Sequence, residues 1–188
     1  PYVPVLRLDE QEISNAREYF RTLPAGMKIM VETEFQSEQS PWNVDYAKRM
    51  IESLRRHNPV FVFSAKNRPP YFDELQALYP RVEWCTLPYR ENAELYNLCD
   101  AFIGVSSGIS CLCQSDYCRT DVPHVELVLG THWSTFHYKN HTKRRICFDE
   151  RTFDVSLAWL NDVLNKKITG TEHPQTERID LYNLGTEG

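Results

Sequence analysis

Ala101-Phe-Ile-Gly-Val105 runs directly into Ser106-Ser107-Gly108-Ile109-Ser110, and this junction decides how the chain reads. A short run of apolar and small residues is the signature of a buried strand. Two hydroxyl residues and a glycine end it, and 109–117 continues in a helical pattern. A strand, a turn of small residues and a helix start leave backbone N–H groups able to hold an anion such as a phosphate. Gly108 lets the backbone approach a ligand closely, and Ser106 and Ser107 add hydroxyl donors. An ordinary buried strand with a serine N-cap accounts for the same residues. The meaning of the turn therefore depends on its surroundings.

Those surroundings alternate. Short apolar runs at 28–32, 59–63, 82–86, 125–129 and 145–148 read as further strands. Helical patterns fall between them, at 44–56 with apolar positions 47, 50, 51 and 54, at 71–79, at 93–99, and at 153–165 with apolar positions 153, 157, 160 and 164. A first helix over 8–23 starts at Asp9 with Glu12 three residues on, a capping-box pattern. About six strand–helix alternations predict an α/β fold, a doubly wound, mostly parallel sheet with right-handed crossovers. Ligands of such sheets lie at the carboxyl ends of the strands. Here those ends are 32–40, 64–68, 86–90, 106–110 and 130–138, all polar. Residues 1–168 read as one domain, and the polar stretch 169–188 as a C-terminal tail.

The 188 residues are 41% hydrophobic and 25% charged, enough apolar material for one domain core. The formal net charge is −5 and the basic residues are scattered, which argues against nucleic-acid binding as the main role. The one basic run, Lys143-Arg144-Arg145, leads into a strand and reads as a solvated edge. No apolar run reaches the ~18–20 residues of a membrane span. Three of the cysteines at 85, 99, 111, 113, 118 and 147 fall in strand or helix cores, so reduced thiols and a cytoplasmic location are expected. Asn140-His-Thr142 is a glycosylation sequon that matters only in a secretory compartment.

The segment Ala93-Glu-Leu-Tyr-Asn-Leu-Cys-Asp-Ala-Phe-Ile-Gly-Val-Ser-Ser-Gly-Ile-Ser110 resembles the C-terminal half of a GT-B glycosyltransferase of the heptosyltransferase-like family. That family carries an A-D-x-x-I-G-x-D-[ST]-G-x-x-H segment, which Asp100, Ile103, Gly104, Ser107 and Gly108 fit. Ser106 stands in place of its acidic residue and Cys111 in place of its histidine. The lysine often found in its first-strand loop has no clear counterpart in 37–42. Pro4 to Leu8 resembles the linker into this half, so the likeness spans roughly 1–165.

The resemblance implies a Rossmann-like half that binds a nucleotide-diphosphate sugar without metal or other cofactor. The acceptor and the general base would belong to an N-terminal half of the same protein. This chain would then be an excised half, inactive by itself. The phosphates would meet Ser106, Ser107, Gly108 and Ile109, with Ser37, Gln39 and Ser40 closing from the first-strand loop. Lys66, after the second strand, is placed to offset diphosphate charge. Thr86, Leu87 and Tyr89 are placed to hold the base, Leu87 packing on it. No residue is assigned a catalytic role.

Other constellations read more plainly. Cys111-x-Cys113 on a helix points its thiols apart, so no zinc site is expected with Cys118 and His124. His132 and His137 flank Trp133 in a loop that can meet sugar or acceptor. Glu32 and Glu34 read as a solvated strand face. Two alternatives to the transferase remain: a non-catalytic nucleotide-binding or interaction module of the same fold, and a nucleotide-sugar epimerase-like enzyme, which needs Glu32, Glu34 or Glu38 in the cleft.

Overall fold

The computed structural model describes residues 3–33, 42–65, 67–128, 143–170 and 177–180. The chain runs α1 (Glu10–Thr22), β1 (Lys28–Glu32), α2 (Val44–Leu54), a 3-10 turn (Arg55–His57), β2 (Val60–Phe63), α3 (Phe72–Leu78), β3 (Val82–Trp84), α4 (Asn92–Leu98), β4 (Ala101–Val105), α5 (Gly108–Leu112), β5 (His124–Leu127), β6 (Lys143–Cys147), α6 (Glu150–Thr169) and β7 (Glu177–Asp180). All neighbouring strands pair in parallel, in the order β3-β2-β1-β4-β5-β6-β7. The expected α/β doubly wound sheet is present.

The sheet carries a core on each face because successive strand residues point to opposite sides. Ile29, Val31, Phe61, Phe63, Ala101, Ile103 and Val105 pack with α2, α3 and α6. Met30, Val60, Val62 and Phe102 pack with α4, α5 and the inner side of α1. Residues on both faces of β1, β2 and β4 are buried, which is why these strands read as continuous apolar runs. The helices start where the sequence signals a start. Asp9 accepts the Glu12 N–H at 2.8 Å while the Glu12 carboxylate accepts the Asp9 N–H at 2.8 Å. Asn43 and Asp149 cap α2 and α6.

Four expectations are corrected. Lys143-Arg144-Arg145 is not a solvated edge. β6 lies between β5 and β7, Arg144 and Arg145 are buried, and the Arg145 guanidinium sits 5.0 Å from the centre of the Trp159 ring. Glu32 is not solvent-facing either. It ends the central strand β1, paired in register with Gly104, and is buried. The helix expected over 109–117 is only five residues long. The stretch read as a tail contributes β7, paired Lys143↔Glu177 through Ile146↔Asp180.

Candidate functional site

Connections from β1 run towards β2 and those from β4 run towards β5, so the strand order reverses between the two adjacent central strands β1 and β4. Crevices form outside the carboxyl ends of strands at such a switch point. The turn Ser106–Ser107 leaves β4 there. Beside it, at the ends of β2 and β3, lies a cleft of about 350 Å³. Its walls are Ser64 and Ala65 after β2, the continuous stretch from Trp84 to Tyr89, Asn92 at the start of α4, and Ile109 from α5.

The sequence-predicted residues meet here in part. Thr86, Leu87, Tyr89 and Ile109 all line the cleft. The Tyr89 hydroxyl donates to the Gly108 carbonyl at 2.6 Å, so the base-side loop and the phosphate-side turn touch. Ser107 is the N-cap of α5: its hydroxyl accepts the Ser110 N–H at 3.1 Å, and the Ser110 hydroxyl accepts the Ser107 N–H at 3.5 Å. Ser106 is buried beneath the turn. Ser37, Gln39, Ser40 and Lys66 lie outside the described residues, as do Glu34, Glu38, His132, Trp133 and His137.

Two details of the turn bear on how it could hold an anion. A helix of five residues aligns too few peptide dipoles to present the roughly half charge of a long helix. What it presents is the N–H of Gly108 and of Ile109, for which a helix's own pattern has no acceptor. Gly108 does not adopt a positive φ. A Cβ there would meet the Tyr89 hydroxyl at 3.1 Å, so its small size makes room for that contact.

Sequence reasoning missed the residue that shapes the cleft loop. Asn92 is buried, and its amide donates to the Pro88 carbonyl at 3.0 Å and the Tyr89 carbonyl at 3.2 Å. Its carbonyl oxygen accepts from the Ser64 hydroxyl and, at 3.9 Å, from the Cys85 thiol. One side chain thus fixes the Thr86–Tyr89 backbone against the end of β2. The available signal was an asparagine opening a helix directly after a polar loop, a place where such side chains turn back to the backbone. Arg90 adds an outer tie, pairing with Glu12 at 2.6 Å and donating to the Arg7 carbonyl.

Behind α5 lies a buried polar cluster. Glu126 of β5 accepts from the Ser110 hydroxyl at 3.2 Å and pairs with the Arg144 guanidinium, while His124 Nε2 lies 3.6 Å from the same carboxylate. Burial by itself would raise the Glu126 pKa. The charge of Arg144 and the contact with His124 outweigh it and hold the carboxyl well below the usual range. Burial depresses the pKa of His124, opposed by Glu126, and the imidazole packs 4.4 Å from the Phe102 ring centre. The folded protein therefore takes up a proton on His124 less readily than the unfolded chain, which protonates near the ordinary value of 6.5. Stability is full above that value and falls as pH drops towards the depressed folded pKa, by at most about 1.4 kcal/mol per pH unit. Urea unfolding from pH 7.5 to 5.5 should show a shallower slope for His124→Gln than for wild type, and equal slopes would refute this.

Burial also pushes up the thiols of Cys85, to about 11, and Cys118, to about 12. All six cysteines are free. Among the described residues no three His, Cys, Asp or Glu side chains come together as a metal site, and no helix is long and apolar enough to cross a membrane.

No protein-family model matches the chain, and no curated protein is detectably similar to it in sequence. Solved structures do share its shape. A glycosyl transferase family 9 protein from Veillonella parvula superposes with a TM-score of 0.54 at 15% identity, over 89% of this chain and 52% of that one. ADP-heptose LPS heptosyltransferase II from E. coli superposes with a TM-score of 0.58 at 16% identity, over 90% of this chain and 55% of that one. The fold is that of one half of a GT-B glycosyltransferase. The chain spans about half the length of the enzymes it matches. In open α/β sheets, ligands gather at the carboxyl ends of the strands, and that is where the cleft lies.

Proposed function

We propose that this chain is the donor-holding half of a glycosyltransferase and binds a nucleotide-diphosphate sugar. The observation that carries the reading is the cleft of about 350 Å³ at the strand ends, joined to the Ser106–Gly108 turn through Tyr89. The base packs against Leu87 and Tyr89, with Thr86 at its edge. The phosphates take the N–H groups of Gly108 and Ile109 and the hydroxyl of Ser107, with Ser106 buried behind them. Ser37, Gln39, Ser40 and Lys66 approach from the neighbouring loops. In the reaction the bond between the anomeric carbon and the diphosphate oxygen breaks as the acceptor oxygen bonds to that carbon. This half positions the donor and stabilises the leaving diphosphate by hydrogen bonds, without metal or cofactor. The base that takes the acceptor proton, and the acceptor itself, belong to an N-terminal half of the same protein, so the isolated chain gives no transfer. A cytoplasmic setting goes with this reading, supported by the six free thiols.

A non-catalytic module of the same fold is the second reading, and Ser106 and Cys111, in place of an acid and a histidine, favour it. The epimerase-like alternative has less support, because no acidic residue lines the cleft among the described residues.

Calorimetric titration with UDP, GDP, ADP, CDP and dTDP should reveal one that binds. Gly108→Val should weaken it at least about ten-fold, equivalent to 1.4 kcal/mol, without lowering the unfolding midpoint, since the added side chain displaces only the tip of exposed Tyr89. Absence of heat with all five at millimolar concentration would overturn the proposal. Joining the chain to its N-terminal half and assaying transfer separates enzyme from module.

A further inference from the structure

Resting on that reading, we infer that Glu126 is a positioning residue for the donor site, holding the Ser106–Ser110 turn in place through the Ser110 hydroxyl. The argument begins with the capping box of α5. Such a box ordinarily places a Glu or Gln at its third helical position, long enough to reach back to the N-cap N–H. Here that position is Ser110, and its oxygen reaches the Ser107 N–H at 3.5 Å. A serine hydroxyl has one hydrogen to donate and two lone pairs to accept with. Donating the hydrogen to Glu126 at 3.2 Å leaves the lone pairs for Ser107. Glu126 is itself fixed, because Arg144 of β6 pairs with its other oxygen. A line of contacts thus runs from β6 through β5 to the N-cap of α5, inside the molecule.

On the cleft side the same turn is gripped by Tyr89 at the Gly108 carbonyl. The turn that would present the Gly108 and Ile109 N–H groups is therefore held from both sides. Stability alone is a poor account of the arrangement, since well-packed apolar residues commonly match or exceed a buried ion pair in stability. A fixed geometry is what the pair adds. The charges of Glu126 and Arg144 also cancel beneath the turn, so the buried carboxylate does not repel an anion above it.

The test uses the full chain with Ser110→Ala, Ser110→Thr and Glu126→Gln, read by amide hydrogen exchange over 106–111 and by affinity for the best-binding nucleoside diphosphate and for its phosphate-free nucleoside. Ser110→Ala should speed exchange in the turn and weaken the diphosphate by about ten-fold, the effect of one lost hydrogen-bond link, while nucleoside affinity and exchange in β1 and α2 stay at wild-type values. Glu126→Gln keeps an oxygen acceptor for Ser110 but leaves the buried Arg144 charge unpaired and so lowers overall stability. Under conditions where it is folded, its diphosphate affinity should lie between wild type and Ser110→Ala. Ser110→Thr should restore the diphosphate affinity. Unchanged exchange in the turn for both Ser110→Ala and Glu126→Gln, or equal loss of nucleoside and diphosphate, would overturn the inference. If wild type binds neither ligand, the donor reading falls, and exchange in the turn still decides whether Glu126 holds it.

Discussion

Arg144→Met should destabilise the domain by about 3–5 kcal/mol, the usual cost of removing one partner from a buried ion pair. Arg144 and Glu126 are 3% and 0% exposed, and without the guanidinium the carboxylate keeps only the Ser110 hydroxyl and the His124 contact. The effect has a pH signature. In wild type the Glu126 pKa is depressed, so its contribution is present above the unfolded carboxyl value of 4.5 and is lost as pH falls below it. In Arg144→Met burial dominates and raises that pKa, so protonation relieves the buried charge. The gap between variant and wild type should therefore narrow from pH 7 to pH 4. Urea unfolding at both values checks this, and the double variant Arg144→Met, Glu126→Leu should recover most of the loss. A deficit below about 1 kcal/mol at pH 7, the range of an exposed pair, would show that the two charges are hydrated rather than buried.

The same residues show where a sequence stops being legible. β1, β2 and β4 declare themselves because both faces are covered by apolar side chains, so Lys28–Glu32, Val60–Phe63 and Ala101–Val105 are nearly unbroken apolar runs. β6 carries Lys-Arg-Arg at its start and still lies inside the sheet. Its arginines are buried by specific partners, Glu126 for one and the Trp159 ring for the other, and neither partner is adjacent in sequence. β7, Glu-Arg-Ile-Asp, has no apolar run to betray it. Periodicity reports burial by nonspecific packing and is silent about burial by pairing.

The candidate site divides in the same way. The turn after β4 and the loop after β3 were legible, because strand ends in a parallel sheet are where polar turns gather ligands. Thr86, Leu87, Tyr89 and Ile109 consequently fall together on one cleft. Asn92 and Ser64 were not legible, since each acts through a hydrogen bond across 28 residues of sequence. Glu126 was hidden for the same reason, 16 residues from Ser110 and 18 from Arg144.

Gly104→Val should be the other strongly disruptive change, at about 3 kcal/mol, the upper end of the usual cost of overpacking a core. Gly104 lies mid-sheet, paired in register with Glu32 on one side and Glu126 on the other. Side chains at paired positions of a parallel sheet share a face, as do residues two apart on one strand. A side chain at 104 would thus emerge between two buried carboxylates and beneath the Phe102 ring. A Cβ alone would come within 2.8 Å of Phe102 Cζ, 2.9 Å of Cε1 and 3.0 Å of Glu32 Cβ. None of these can yield cheaply. Phe102 is fully buried between Tyr96 and His124, with ring centres 5.8 and 4.4 Å away, and the Glu32 Cβ is tied to the central strand. The glycine is there for space rather than for φ, which is not positive. Gly104→Ala should already lower the unfolding midpoint measurably, and Val should lower it further. Adding Phe102→Leu to Gly104→Ala should offset part of the loss by removing the ring that the new Cβ strikes. If Gly104→Val unfolds at the wild-type denaturant concentration, the ring does not lie over the glycine, and the packing between β1, β4 and β5 beside the candidate site differs from that described.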